Sequence, residues 1–348
     1  GGRLPVIGLP GLIKMIQDTI KTKEITFVVK KDYQRRIDRY LAARFTNFSR
    51  SAVQKWIKEG AVKVFDRPVK SSYEIRRDDI VTLEIPIIEA ERIEPENIPL
   101  NIIYEDDYLI VINKPPDMVV HPAGGHPSGT LVNALAYHCQ NLSRVNGPVR
   151  PGIVHRLDRD TSGVMMAIKS NLVHSKIARQ FEDRKIKKEY IAVVEGEIEL
   201  DSDVIERPIG RHIRDRKLMA IRHDNGKSAT TVYEVMERFR SYTLVKLMPE
   251  TGRTHQIRVH MRSIGHPIVA DFTYGSKDAC YESELRGKEV KEGEEPIIER
   301  QALHAYKLKF FHPILNKTME FKAELPADMS NLIKKLREIR PLTLSNKI

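Results

Sequence analysis

At 348 residues with 41% hydrophobic residues and a net charge of +11, the chain is long enough for two domains with cores of their own, and its positive balance favours a polyanionic partner. Two isolated cysteines, Cys139 and Cys280, with no CxxC and no HExxH, argue against a structural zinc site or a disulfide framework and fit a reducing, cytoplasmic setting. No window approaches the roughly 18 uninterrupted apolar residues of a membrane span, so no membrane partner is expected.

In chain order, residues 1–32 open on "GGRLPVIGLPGLIKMIQDTI", which lacks an initiator Met and a signal-peptide layout and reads as a loosely ordered N-terminal extension. Residues 33–88 read as a small helix-helix-strand module. "RRIDRYLAARF" places Ile37, Tyr40 and Leu41 on one helical face, and "SRSAVQKWIKEG" does the same with Val53, Trp56 and Ile57, between Ser49 as N-cap and Gly60 as stop. "AVKVFDRPVK" and "DDIVTLEIP" then alternate as short strands do. Residues 33–85 hold 12 basic against 7 acidic residues, so RNA contact is sought there, at Arg35, Arg36, Arg50, Lys55 and Lys58.

Residues 89–100 read as a stiff, solvated linker: Glu89, Glu91, Glu94 and Glu96 crowd one stretch, and such acidity would not lie on a phosphate backbone. A larger region, 101–330, begins with the apolar runs of "NIIYEDDYLIVINKPPDMVVHP". "SNLVHSKIARQFED" is a helix with Leu172, Ala178 and Phe181 roughly on one face, and strands dominate afterwards, which gives an α+β fold with a mixed, mainly antiparallel sheet and flanking helices. The charged stretch 277–300 reads as a solvated insertion, and 331–348 as a C-terminal tail.

Three separated stretches carry chemistry. "HRLDRDTSG" sets Asp158 beside Arg156, "KKEY" ends on Tyr190, and "ETGRTHQIRVHMRSIGHP" offers Arg253 before a helix running from Thr254 as N-cap to Gly265. On that helix Ile257, Met261 and Ile264 face inward, while Arg258 and Arg262, one turn apart, face outward as candidate RNA contacts.

Together with "NKPPDMVVHPAGG", "GTLVNAL", "PGIVHRLDRDTSGVMM" and "ALHAYKLKFFHP", these stretches resemble, in order and over most of the chain, the RluA-type pseudouridine synthases, specifically the RluD-like branch acting on large-subunit ribosomal RNA. The 33–88 module likewise resembles the S4 RNA-binding domain. The resemblance implies that Asp158 is the catalytic aspartate and that Tyr190 stacks on the target base and assists proton removal. It further implies that Arg253 pairs with Asp158 and that Arg156 fills the space left by an extruded nucleotide. The implied reaction breaks the N1-glycosidic bond of uridine and joins C5 to the same sugar carbon with no redox change, so no cofactor or metal is demanded. Whether Asp158 adds to C1′ or takes the 2′ proton to give a glycal stays open at the level of sequence.

The chain departs from the family pattern at Pro116-Asp117, where a small residue and Gly are common, at "VFDRP", where an Asn-Gly turn is usual, and at Phe272, where Pro is common. The implied partner is ribosomal RNA of the large subunit or its precursor particle, bound by a monomer. Alternatives remain: a synthase acting on tRNA or another RNA, a non-catalytic ribosome-assembly factor, or a glycoside-cleaving enzyme using Asp158 with Asp160. The last would release free uracil, which an isomerase does not.

Overall fold

The computed structural model describes residues 22–45, 50–86, 93–122, 126–147 and 150–342, which divide into a small N-terminal unit and a larger one. In chain order the small unit contains β1 (Thr22–Val28), β2 (Arg35–Arg36), α1 (Ile37–Arg44), α2 (Arg50–Lys58), β3 (Val62–Val64), β4 (Arg67–Pro68), β5 (Glu74–Ile75) and β6 (Ile80–Pro86). Strands β1, β6, β3 and β4 form one antiparallel sheet in that order, and β2 pairs with β5.

The apolar faces read from the periodicity meet each other here: Ile37, Tyr40 and Leu41 of α1 and Val53, Trp56 and Ile57 of α2 are buried with Val62 and Leu83 of the sheet. Gly60 ends the second helix with a positive φ of 79°. Ser49, read as its N-cap, lies outside the described residues. The turn "VFDRP" keeps the geometry that Asn-Gly usually supplies, because Phe65 and Asp66 both take left-handed backbone (φ 47° and 60°) between the paired Val64 and Arg67.

Two boundaries of this region are corrected. The extension read over 1–32 contains β1, which pairs with β6 from Thr22 opposite Pro86 to Val28 opposite Ile80 and so belongs to the sheet. The segment read as a solvated linker is fastened to the larger unit from Glu94 onward. The Glu94 carbonyl accepts from Asn133 Nδ2 (2.8 Å), and the Glu96 carboxylate accepts from the Gly129 N–H (2.9 Å), where its charge favours the start of the following helix.

The larger unit runs β7 (Ile102–Glu105), β8 (Leu109–Lys114), α3 (Leu131–His138), β9 (Ser162–Ile168), α4 (Asn171–Glu182), β10 (Lys187–Glu195) and β11 (Ser202–Glu206). A two-stranded hairpin follows, β12 (Ile209–Arg211) and β13 (Met219–Ile221), then β14 (Thr230–Phe239), β15 (Tyr242–Pro249), α5 (Gln256–Ser263) and α6 (Glu282–Leu285). The unit ends with β16 (Leu303–His312), β17 (Lys317–Lys322) and α7 (Ala327–Ile339). Its large sheet has the order β11-β14-β15-β10-β16-β9-β8-β7, with β17 also on β16. All of its pairs are antiparallel except β16 with β9, so the expected mixed, mainly antiparallel α+β arrangement is what the chain adopts.

The parallel pair explains one glycine. A Cβ on Gly163 (φ 119°) would sit 2.2 Å from the Ala305 carbonyl oxygen, so only glycine lets β9 close on β16.

Three further expectations change. The inward face of α4 is Val173, His174 and Ile177, while Leu172 is exposed. The stretch 277–300 is pinned by the buried Cys280, Leu285 and Ile298. The supposed tail 331–348 includes most of α7, whose Met329, Leu332, Ile333 and Leu336 are buried in the main core and leave only 343–348 outside the described residues. Among the described residues, no helix is long and apolar enough to cross a membrane.

Candidate active site

The loop before β9 carries Asp158, and buried cations hold that loop by its backbone. Thr161 N–H bonds back to the Asp158 carbonyl (3.1 Å) and closes a turn. Lys114, at the end of β8 and fully buried, donates to the carbonyls of Pro115, Met118 and Arg159 (2.7, 3.0 and 2.8 Å). Arg300 donates to the Asp160 carbonyl (3.0 Å) while its other nitrogens grip Asp328 of α7. With the turn backbone tied to β8 and to α7, the Asp158 side chain has little freedom beyond its own torsions. Asp117 in the neighbouring "NKPPD" turn takes a left-handed φ of 55°, the conformation glycine would supply, which Asp tolerates.

The carboxylate opens into a cavity of about 440 Å³ whose walls include Arg156, Lys188, Tyr190, Arg253, His255 and Arg258. Asp158 Oδ2 accepts from Arg258 Nη1 at 3.1 Å. Arg258 is buried and donates through Nε and Nη2 to both oxygens of the buried Asp271, each at 2.7 Å. Burial works against the guanidinium's charge, but Asp271 and then Asp158 outweigh it, and its pKa lies above the ordinary value. Asp271 also accepts from the N–H groups of Thr273 (2.9 Å) and Tyr274 (3.0 Å).

This geometry corrects two assignments. Arg253 does not pair with Asp158: its Nε donates to the Ser228 carbonyl at 3.0 Å, which leaves it on the cavity wall. Arg258 is not an outward RNA contact but the partner of the carboxylate. The helical argument failed because both faces near the start of α5 are covered, and the apolar periodicity marks only one of them. The helix starts at Gln256, not from Thr254 as a cap, and His255 precedes it in left-handed backbone (φ 54°). Gln256 takes over the anchoring: Oε1 accepts from Thr251 Oγ1 and Arg253 N–H, and Nε2 donates to the Thr230 carbonyl and Thr231 Oγ1.

Tyr190 lies where β10 and β16 shift register between Glu189 and Tyr190, an irregularity of the kind that re-aims side chains beside active sites. Burial, and after it the nearby Asp158, raises its phenol well above the ordinary value, so it enters the site neutral. Lys188, two residues earlier on the strand, donates to the Thr251 carbonyl at 3.4 Å, and burial lowers its pKa to about 8. Arg156 is exposed on the cavity wall, and Arg262 is exposed on α5. Sequence reading missed His255, Asp271, Tyr274, Lys188 and Lys114. Only "GRTHQIR" signalled one of them, as a polar run too dense for an ordinary helix start.

In the small unit, Arg36 and Arg50 have a structural task. The fully buried Asp38 accepts from both and from Gln54, the Arg50 Nη2 bond being 2.8 Å long. Arg35, Lys55 and Lys58 are exposed, and Lys55 lies 3.7 Å from Glu59.

Among the described residues, one group brings three potential metal ligands within 4.8 Å: Glu105, His138 and Cys139, away from the cavity. It fits a metal poorly, since the Glu105 oxygens already bond His138 and Lys169 (2.8 Å each) and burial, then Glu105, raises the Cys139 thiol to about 11.

Residues 108–263 match the family described as RNA pseudouridylate synthase, and residues 35–81 match the S4 domain. The chain is 45% identical over 303 residues to an uncharacterized RNA pseudouridine synthase, YlyB, of Bacillus subtilis, covering 87% of this chain and 94% of the relative. It is 43% identical over 309 residues to ribosomal large subunit pseudouridine synthase D of Haemophilus influenzae, covering 87% and 91%. Among solved structures it is similar to human RNA Pseudouridylate Synthase Domain Containing 1, with a TM-score of 0.51 and 26% identity over 71% of this chain and 98% of that one.

Proposed function

The chain belongs to the RNA pseudouridylate synthase family, and we propose that it converts uridines of large-subunit ribosomal RNA to pseudouridine with Asp158 as the reacting carboxylate. The observation that carries this reading is the hold on Asp158: one oxygen is fixed by Arg258, itself fixed by Asp271, at the wall of a cavity that Tyr190 also lines. A guanidinium that cannot turn away keeps the carboxylate oriented, as either a nucleophile at C1′ or a base at the 2′ position requires.

In this reading the N1–C1′ bond breaks, the freed uracil turns, and C5 bonds to C1′. The C5 proton leaves and N1 gains one, so the product is an isomer and no electrons are exchanged. Tyr190, neutral, packs on the base. Extruding the nucleotide costs a few kcal/mol, least for an unpaired loop, and the exposed Arg156 is positioned to occupy the vacated stack. The basic N-terminal unit supplies phosphate contacts. Large-subunit RNA is favoured because relatives more than 40% identical over most of their length carry that activity in their names.

The test is a pseudouridine map of total RNA from cells with and without the gene. Loss at one or more large-subunit sites is expected. Loss confined to tRNA would overturn the choice of target and leave the chemistry standing.

A further inference from the structure

His255, like Arg184 (φ 57°), is a cavity-wall residue with left-handed backbone at a position that carries a Cβ, and it stands directly before α5 (φ 54°, ψ 22°). L-residues adopt this conformation only where their surroundings enforce it, and such positions gather at functional sites. The backbone aims the ring between two groups. Nδ1 lies 2.8 Å from Tyr274 Oη, and Nε2 lies 3.8 Å from Asp158 Oδ1.

The hydrogen-bond inventory fits one tautomer. Tyr274 Oη accepts the backbone N–H of Met219 in β13 (2.9 Å), which leaves its single proton available to His255 Nδ1, and we assign it there. The neutral imidazole then carries its own proton on Nε2, facing Asp158. Asp158 and Arg156 face the ring from the loop before β9, Arg258 from its own helix, and Asp271 from the turn behind. Burial keeps the ring neutral against the pull of Asp158. The two carboxylate oxygens therefore face different groups: Oδ2 has Arg258, and Oδ1 has His255 Nε2 at 3.8 Å, about one ångström beyond hydrogen-bond length, a gap within the reach of a small torsion of either side chain.

We infer that His255 is a positioning residue for the reaction: its Nε2–H, oriented by Tyr274, fixes the rotation of the Asp158 carboxylate so that Oδ1 presents a defined lone pair to the reacting sugar carbon or proton. The inference rests on Asp158 being the reacting carboxylate. It also ties that carboxylate to the β12–β13 hairpin, whose strand supplies the Met219 N–H at the far end of the chain of bonds.

The test is single-turnover release of tritium from RNA labelled at uridine C5, with total RNA from cells lacking the gene so that the result does not depend on which RNA is the target. His255→Ala should slow release about 100-fold at saturating enzyme, the order of loss that a misplacement near one ångström produces. RNA affinity should stay within about twofold, because the imidazole acts on the carboxylate rather than on the substrate. His255→Gln, whose amide N–H reaches the place of Nε2, should recover much of that rate. Tyr274→Phe keeps the ring and loses the hydroxyl. It should slow the parent but add nothing to His255→Ala, since it acts through the imidazole. A parental rate in His255→Ala, a Gln variant no faster than Ala, or affinity lost in step with rate would each overturn the inference. Should the Ala variant fail to fold, the Gln and Phe variants decide. Parental release from Asp158→Asn would bring down instead the reading on which the inference rests.

Discussion

Arg258 bridges two carboxylates that lie far apart in sequence, with Nη1 3.1 Å from Asp158 and Nε and Nη2 both 2.7 Å from Asp271. Both Asp271 and the guanidinium are buried, so the bridge works as a fixed strut rather than a surface pair. Arg258→Lys cannot reproduce three directed bonds and should lower the rate at saturating RNA by about 100-fold or more. Arg253→Ala, which removes a guanidinium bonded to the Ser228 carbonyl, should act mainly on KM. Steady-state kinetics on both variants checks this; equal losses of kcat would contradict the assignment of roles.

Asp271→Asn leaves the shape of the turn but strips the charge that Arg258 is buried against. Breaking a buried pair by removing one partner typically costs about 3–5 kcal/mol. The amide still offers one acceptor to Arg258, so the loss should fall toward the lower end, read as a lowered melting temperature together with slower turnover.

Much of this arrangement was legible in the sequence, and the gaps have physical causes. The helical faces of the small unit follow from periodicity, which local rules govern, whereas the order of the motifs and the place of Asp158 rest on the resemblance to the RluA-type synthases. The partner of Asp158 did not follow, because Arg253 and Arg258 both precede or enter one short helix, and only the position of Asp271 decides which of them is drawn inward. Lys114 and Asp38 were missed for the same reason: a buried charge looks like a surface charge until its tertiary partners are known. The boundaries at residues 22 and 331 erred because a strand or helix of ordinary composition belongs to whichever core it completes.

His155 gives a pH dependence. Its Nε2 accepts the Met166 N–H at 3.0 Å and its ring stacks on Phe181, so the fold requires the neutral imidazole, and burial lowers its pKa to about 3. The unfolded chain takes up this proton near pH 6.5 and the folded protein does not, so stability is unaffected above that pH and falls below it. The decline is about 1.4 kcal/mol per pH unit between the two values. His155→Gln retains an acceptor for Met166 without a titrating group. Denaturant melts of parent and variant from pH 7 to 5 should diverge by about 2 kcal/mol at the acid end; parallel curves would show that His155 is not the group responsible.

The basic side chains of the small unit should separate into two kinds. Lys58 is exposed, so Lys58→Gln should weaken RNA binding at every sequence, lower the salt slope by about one unit or less, and leave the melting temperature alone. Arg50→Gln should also lower the melting temperature, because the fully buried Asp38 loses two of its hydrogen bonds. Unchanged melting in the Arg50 variant would return that residue to the class of simple phosphate contacts.

Asp158 and Asp160 provide the sharpest contrast, since both sit in one turn and differ in what their side chains face. Asp158 points its carboxylate to Arg258 and the cavity, whereas the Asp160 carboxylate meets Arg159 at 3.1 Å and its backbone carbonyl is held by Arg300. Asp158→Asn keeps the size of the side chain and removes its charge. A merely structural residue would respond with a loss of stability, while a nucleophile or base loses turnover with the fold intact. Joining C5 to C1′ obliges the C5 hydrogen to leave, so RNA tritiated at uridine C5 reads out the reaction directly. Asp158→Asn should bind RNA at close to the parental affinity, melt within a few degrees of the parent, and release essentially no tritium. Asp160→Asn should still turn over at a measurable rate, because the carbonyl that Arg300 grips is untouched by the substitution. Parental tritium release from the Asp158 variant would remove this residue from the chemistry, and the hold of Arg258 upon it would then serve only the packing of the loop before β9 against α5.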